Sequence, residues 1–219
     1  MPLFWFVYTK TVKNDREEQD KTMDEALLRQ LAWMDYRLAV IFTVITPIVL
    51  LIWSLVSKIE SMQRLLGIYW KVASLLMITV YLLIPSWSVG YLTGLLSRIL
   101  IPISLWFWID LNEEIRDQPA SKLKLVFTSW RWAMTAYCAI GALINLPFFS
   151  CIFSATTKQG AYCQVWLEAP IRYKEILHAN SSAGFLGFLG ATGLIVYGIY
   201  LLSFLIFRLG RQGRIAIEQ

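Results

Sequence analysis

Five long apolar runs, each bounded by blocks of charge, constrain this chain more than any other feature. They lie at about residues 38–56, 65–84, 89–109, 132–153 and 184–207. Each is long enough to cross ~30 Å of hydrocarbon at ~1.5 Å per residue of helix. Hydrocarbon offers no water to an open backbone, so a spanning run of this length folds as a helix. A single such run also fits a buried helix of a soluble protein, but five in one small chain do not. The expected fold is all-α, an integral membrane helical bundle of about five transmembrane helices. Composition agrees, with 57% of residues hydrophobic, 16% charged and a mean hydropathy of +0.55. The net charge of +5 does not point to nucleic acid, because the basic residues flank apolar runs instead of forming one stripe.

The runs divide the chain into three parts. Residues 1–36 read as an amino-terminal extension and an interfacial amphipathic helix, 37–207 as the transmembrane domain, and 208–219 as a basic cytoplasmic tail. Met23 is the expected natural start, since the strongly polar stretch 10–22 (KTVKNDREEQDKT) precedes it. The alternative is a genuine extension with Phe4, Trp5, Phe6 and Tyr8 at the membrane interface. Asp24 and Glu25 suit a first helical turn, and Leu27, Leu28, Leu31 and Ala32 then share a face. Pro47 predicts a kink in the first span. Pro85, Ser86, Trp87 and Ser88 predict a hairpin between the second and third.

Charge sets an expected orientation. With the carboxyl end in the cytoplasm, the inner segments hold Lys58, Arg64, Arg116, Lys122, Lys124, Arg131, Arg208, Arg211 and Arg214. The outer ones hold Arg29, Arg37, Lys158, Arg172 and Lys174. This is a positive-inside bias with the amino end outside, provided that Lys10, Lys13, Arg16 and Lys21 are not counted. Cys138 reads as an inert apolar residue of the fourth span. Cys151 and Cys163 fall on the outer, oxidising side, where they are either bridged or two free thiols.

From Met23 to the carboxyl end the chain resembles a cyanobacterial family of multi-span membrane proteins that carries only a domain-of-unknown-function label. The strings that carry the resemblance are WMDYRLAV (33–40), IYWKVASLL (68–76), RILIPISLWFWIDLNEEI (98–115), FTSWRW (127–132), HANSSAGFLGFLG (178–190) and RLGRQGR (208–214). The resemblance implies an oxygenic phototroph and a thylakoid or plasma membrane. It brings no activity and no catalytic residue with it.

Within this frame Arg98 is the most informative residue, because a guanidinium deep in the third span costs at least ~2.5 kcal/mol on insertion scales. No Asp or Glu lies inside the five runs, so the expected partner is an anion from outside the chain, a lipid headgroup or a partner's carboxylate. Lys71 is expected at the same depth, and Asn145 is the internal alternative to an external anion. Asp110, Glu113 and Glu114 share a helix face after the third span and read as a partner surface; no metal site is expected there. Gly184, Gly187, Gly190 and Gly193 recur every third residue and mark a face for helix packing or for a partner, including the flat ring of a pigment. His178 is the only histidine, a weak candidate for ligating chlorophyll.

No histidine–carboxylate cluster or other catalytic spacing is present, so no enzyme is expected. The expected role is a non-catalytic accessory protein of the photosynthetic membrane that assists assembly or stabilisation of a larger complex. Anionic lipid is an expected partner, with chlorophyll or carotenoid as contacts. The alternative is a small transporter or channel component with a basic intramembrane anion or lipid site.

Overall fold

The computed structural model describes residues 24–146, 150–153 and 161–209, and among these the chain is helical throughout, without a strand. Expectations for residues 1–23, for 147–149 of the fourth run, for Lys158, for the side chain of Arg208 and for the tail from Gly210 onward lie outside the described residues. The helices are α1 (Asp24–Val56), α2 (Glu60–Leu83), α3 (Val89–Trp106), α4 (Ile109–Asp117), α5 (Lys122–Asn145), α6 (Ser150–Phe153), α7 (Ala161–Leu177) and α8 (Ala183–Ser203). A π-helical stretch, Phe204–Leu209, continues α8.

Four helices are long and apolar enough to cross a membrane: α1, α2, α3 and α8, the last through Ile206. The run expected at 132–153 takes a different form. Its helix starts at Lys122, ends at Asn145, carries Lys122, Lys124 and Arg131, and is not among those four. It is nevertheless packed within the bundle. Tyr137 of α5 reaches Asp35 of α1, and seven residues earlier Trp130 reaches Phe42, seven residues later, so the two helices run antiparallel side by side. Arg131 is buried in this core, where its Nη2 and the face of its guanidinium find partners while its Nε has no hydrogen-bond partner among the described residues. It donates to the Leu105 carbonyl (2.7 Å) and to the Asn112 amide oxygen, and its guanidinium lies 4.1 Å from the centre of the Trp106 ring.

The first span also differs from expectation. No break separates an interfacial helix from it, since α1 is continuous from Asp24 to Val56. Leu28 and Ala32 form its packed face, while Leu27 and Leu31 are exposed. Pro47 acts through its missing N–H. The turn before it widens into a π-helix, Val40–Ile45, and carbonyls around it lose helical donors. The Tyr69 hydroxyl takes the Thr43 carbonyl (2.8 Å), and the Trp130 indole takes that of Phe42 (3.0 Å). These two rings meet edge to face, 5.2 Å apart, inside the main core of α1, α2, α3 and α5.

Sharp helix ends keep the connections short. Ser86 has φ 61°, and the bonds from Trp87 N to Leu82 O and from Ser86 N to Leu83 O close α2 in a Schellman turn. Lys58, with φ 55°, closes α1 in the same way. The α2–α3 hairpin that results is the most extensive helix pairing among the described residues.

Candidate functional site

The site is built where α1, α2, α3 and α5 meet under α7. Arg98 stands on α3 and Asp35 on α1, and Arg98 Nη2 donates to Asp35 Oδ2. The Tyr137 hydroxyl donates to the other carboxylate oxygen at 3.0 Å. The Arg98 guanidinium also lies 5.6 Å from the centre of the Tyr137 ring. Arg98 is 8% exposed, so the pair is desolvated and each charge depends on the other. Nη1 of Arg98 is buried against Gly141 of α5 and has no hydrogen-bond partner among the described residues.

This geometry corrects the expectation that Arg98 needs an anion from outside the chain. Asp35 stands three residues ahead of the first apolar run, and the continuity of α1 carries it into the bundle. Asn145 lines the same space without being the group to which Arg98 donates. Lys71 is also not brought to Arg98. It faces α8, with its ammonium 5.9 Å from the centre of the Tyr200 ring, in a separate recess between α2 and α8.

Above the ion pair lies a cavity of about 690 Å³. It extends along α2 from Ala73 to Leu83, ten residues or ~15 Å of helix, and is roofed by Trp166, Pro170 and Tyr173 of α7. Its walls are almost wholly apolar. Val40, Met77 and Ile176 line it and are also well exposed at the bundle surface, so it opens sideways between α1, α2 and α7. Asp35, Arg37, Arg98 and Arg172 are the charged residues of the lining.

α7 is fixed over this space by contacts to α1 and α3. Glu168 takes the Arg29 guanidinium (2.8 Å) and the Trp33 indole (3.1 Å), and the Tyr36 hydroxyl donates to the Trp166 carbonyl (2.8 Å). The Tyr91 hydroxyl donates to the Cys163 carbonyl at 3.0 Å. Cys151 and Cys163 are bridged, with Cα atoms 6.1 Å apart, tying α6 to α7.

The remaining candidates are dispersed. Both nitrogens of His178 are engaged, Nε2 with the Tyr81 hydroxyl (2.6 Å) and Nδ1 with the Leu177 carbonyl (2.7 Å), so neither is presented to a pigment magnesium. Tyr173 packs edge-on against both rings, and its burial, then Tyr81, push its phenol pKa up. Gly187, Gly190 and Gly193 receive Pro85, Tyr81, Leu82 and Ile78, all from α2 or its hairpin, while Gly184 faces open space. The stripe thus serves the chain's own packing. Glu113 and Glu114 are exposed on α4, with Arg116 3.9 Å from Glu113, and Asp110 is half-buried. Lys124 turns to the Arg116 and Gln118 carbonyls, both at 2.6 Å. No group of three or more potential metal ligands forms among the described residues.

Sequence reasoning missed Asp35, Tyr137 and Gly141. Residues 29–217 match the model of a family described as "Protein of unknown function (DUF3177)". No curated protein and no solved structure matches the chain.

Proposed function

The chain belongs to that family, and from this premise we propose that it is a non-catalytic accessory protein of its membrane. In this reading it holds an apolar or amphipathic molecule between its helices, and so helps to assemble or stabilise a larger membrane complex. One observation carries the proposal: a cavity of about 690 Å³, apolar, roofed by a braced helix and open sideways at the level of the spans. Ligand sites of ~300–1,000 Å³ with few polar groups are typical of small-molecule binding. The polar groups at its base hold one another, Arg98 and Tyr137 both donating to Asp35, which suits a rigid floor better than proton transfer.

The finer placement is part of the same proposal. The membrane is the thylakoid or plasma membrane of a cyanobacterium, the amino end lies outside and the carboxyl end is cytoplasmic, with α5, antiparallel to α1, as a fifth crossing beside the four apolar helices. Chlorophyll and carotenoid are candidate contents beside lipid. The test is purification in a mild detergent followed by mass spectrometry of proteins, pigments and lipids. A stoichiometric hydrophobic molecule, lost when Val44→Trp and Met77→Trp together fill the cavity, is the expected result. A parent protein that carries no such molecule and no protein partner overturns the reading.

A second reading, a small transporter component, draws on Arg98 and Asp35 themselves, since ionisable residues among spanning helices often mark a solute path. Solute flux through proteoliposomes that Arg98→Leu abolishes would favour it over the first.

A further inference from the structure

We propose that the cavity between α1, α2 and α7 is a site for one anionic membrane lipid, with an acyl chain in the cavity and a phosphate or sulfonate headgroup held by Arg37 and Arg172. This rests on the reading of the cavity as a binding site and names its occupant.

Charge is the first argument. Three guanidinium groups line the cavity, those of Arg37, Arg98 and Arg172, against one carboxylate, that of Asp35. Arg98 consumes that carboxylate. Arg172 shares its charge with Glu175 at 2.9 Å, at an exposed surface where such a pair is weak. Arg37 is exposed and has no ion pair among the described residues, two residues along α1 from Asp35 of the buried pair. The lining therefore carries a positive excess that a neutral hydrophobe would leave uncompensated. An anionic headgroup meets it with bidentate, charge-assisted hydrogen bonds.

Placement is the second argument. α7 is not one of the four helices apolar enough to span, and its residues from Trp166 to Ile176 roof the cavity. Arg172 therefore belongs to the rim. Arg37 is on α1 next to Tyr36, which bonds the Trp166 carbonyl of α7, so it shares that level. Below the rim Val40, Val44, Leu76, Met77 and Val80 line the cavity with apolar side chains, and the only charges beneath them are Asp35 and Arg98, which offset each other. A charged edge over a narrow apolar slot, open toward the bilayer, is the shape of a lipid headgroup over its chain.

The test is native mass spectrometry of the delipidated full chain titrated in detergent with dioleoyl phosphatidylglycerol or, in parallel, dioleoyl phosphatidylcholine. One phosphatidylglycerol should bind, with phosphatidylcholine at least about tenfold weaker, a difference worth 1.4 kcal/mol. Arg37→Gln/Arg172→Gln should erase that preference while the protein keeps its thermal midpoint, since both side chains are exposed. Inorganic phosphate should not compete at equal concentration, because it lacks the chain. If the parent binds both lipids equally, or the double variant keeps the preference, the anionic site is refuted and the cavity reading stands. If Val44→Trp/Met77→Trp binds lipid and pigment as the parent does, the cavity reading falls as well.

Discussion

The guanidinium of Arg98 occupies the space that a side chain at Gly141 would need: a Cβ there would lie 1.6 Å from Nη1 and 2.8 Å from Cζ. Gly141 is thus the floor on which the buried cation rests, and α5 approaches α3 this closely because that floor has no side chain. Gly141→Ala forces the guanidinium away from Asp35 and should cost roughly 3–5 kcal/mol, the scale of a broken buried pair. In an Arg98→Leu background the same change should cost under about 1 kcal/mol. Thermal unfolding of the four proteins in one detergent measures this coupling, and additive costs would show that the two residues act independently.

The ion pair itself predicts a second asymmetry. Arg98→Leu leaves Asp35 buried with only the Tyr137 hydroxyl, and Asp35→Leu leaves Arg98 with no anion among the described residues. Each single variant should lose roughly 3–5 kcal/mol, whereas Asp35→Leu/Arg98→Leu should fall within about 2 kcal/mol of the parent. Two single losses that simply sum in the double variant would mean that each residue has its own separate partner.

What the sequence showed of this site follows physical reach. The apolar runs placed α2, α3 and α8 within a few residues, because hydrophobic length is a local property. The every-third-residue glycines of α8 likewise marked a packing edge before any contact was known. Asp35 was hidden because the apolar run begins at Leu38, and hydropathy does not show that the helix read upstream of it is continuous with the span and packs inside the bundle. Its partner stands 63 residues away, and Tyr81 is 97 from His178; no local period encodes either pairing. The fourth run misled for the opposite reason. Local charge put Arg131 at a membrane edge, while Asn112, Leu105 and Trp106 receive it in the core.

The bridge between Cys151 and Cys163 should survive extraction from the membrane. Non-reducing peptide mapping should find the two peptides linked and Cys138 alone as a thiol. Removing the bridge with Cys151→Ala/Cys163→Ala should cost about 3 kcal/mol through loop-closure entropy. Alkylation of all three cysteines before any reductant is added would exclude the bridge.

Orientation has an independent measurement. A fluorescent reporter that matures only in the cytoplasm, fused after Gln219, should light up if the carboxyl end is inside as proposed. A dark fusion that is full-length and membrane-bound reverses the topology. It would also place the bridged cysteines on the reducing side, where a disulfide rarely persists.

The glycines of α8 should respond to one and the same substitution with opposite signs. A Cβ at Gly184 meets nothing within 4 Å, so Gly184→Ala adds only helix propensity and should be neutral or stabilising by up to about 1 kcal/mol. A Cβ at Gly190 would lie 3.0 Å from the Tyr81 Cβ and 3.1 Å from the Leu82 backbone nitrogen. Neither atom is the tip of a flexible side chain, so the helices themselves must part. Gly190→Ala should therefore cost about 1–3 kcal/mol as overpacking. It also pushes on Tyr81, whose hydroxyl holds His178, so the loop before α8 should loosen with it. Hydrogen exchange near residues 178–186 should rise in Gly190→Ala and stay unchanged in Gly184→Ala. Equal behaviour of the two variants would mean that α8 does not seat against α2 through its glycine edge.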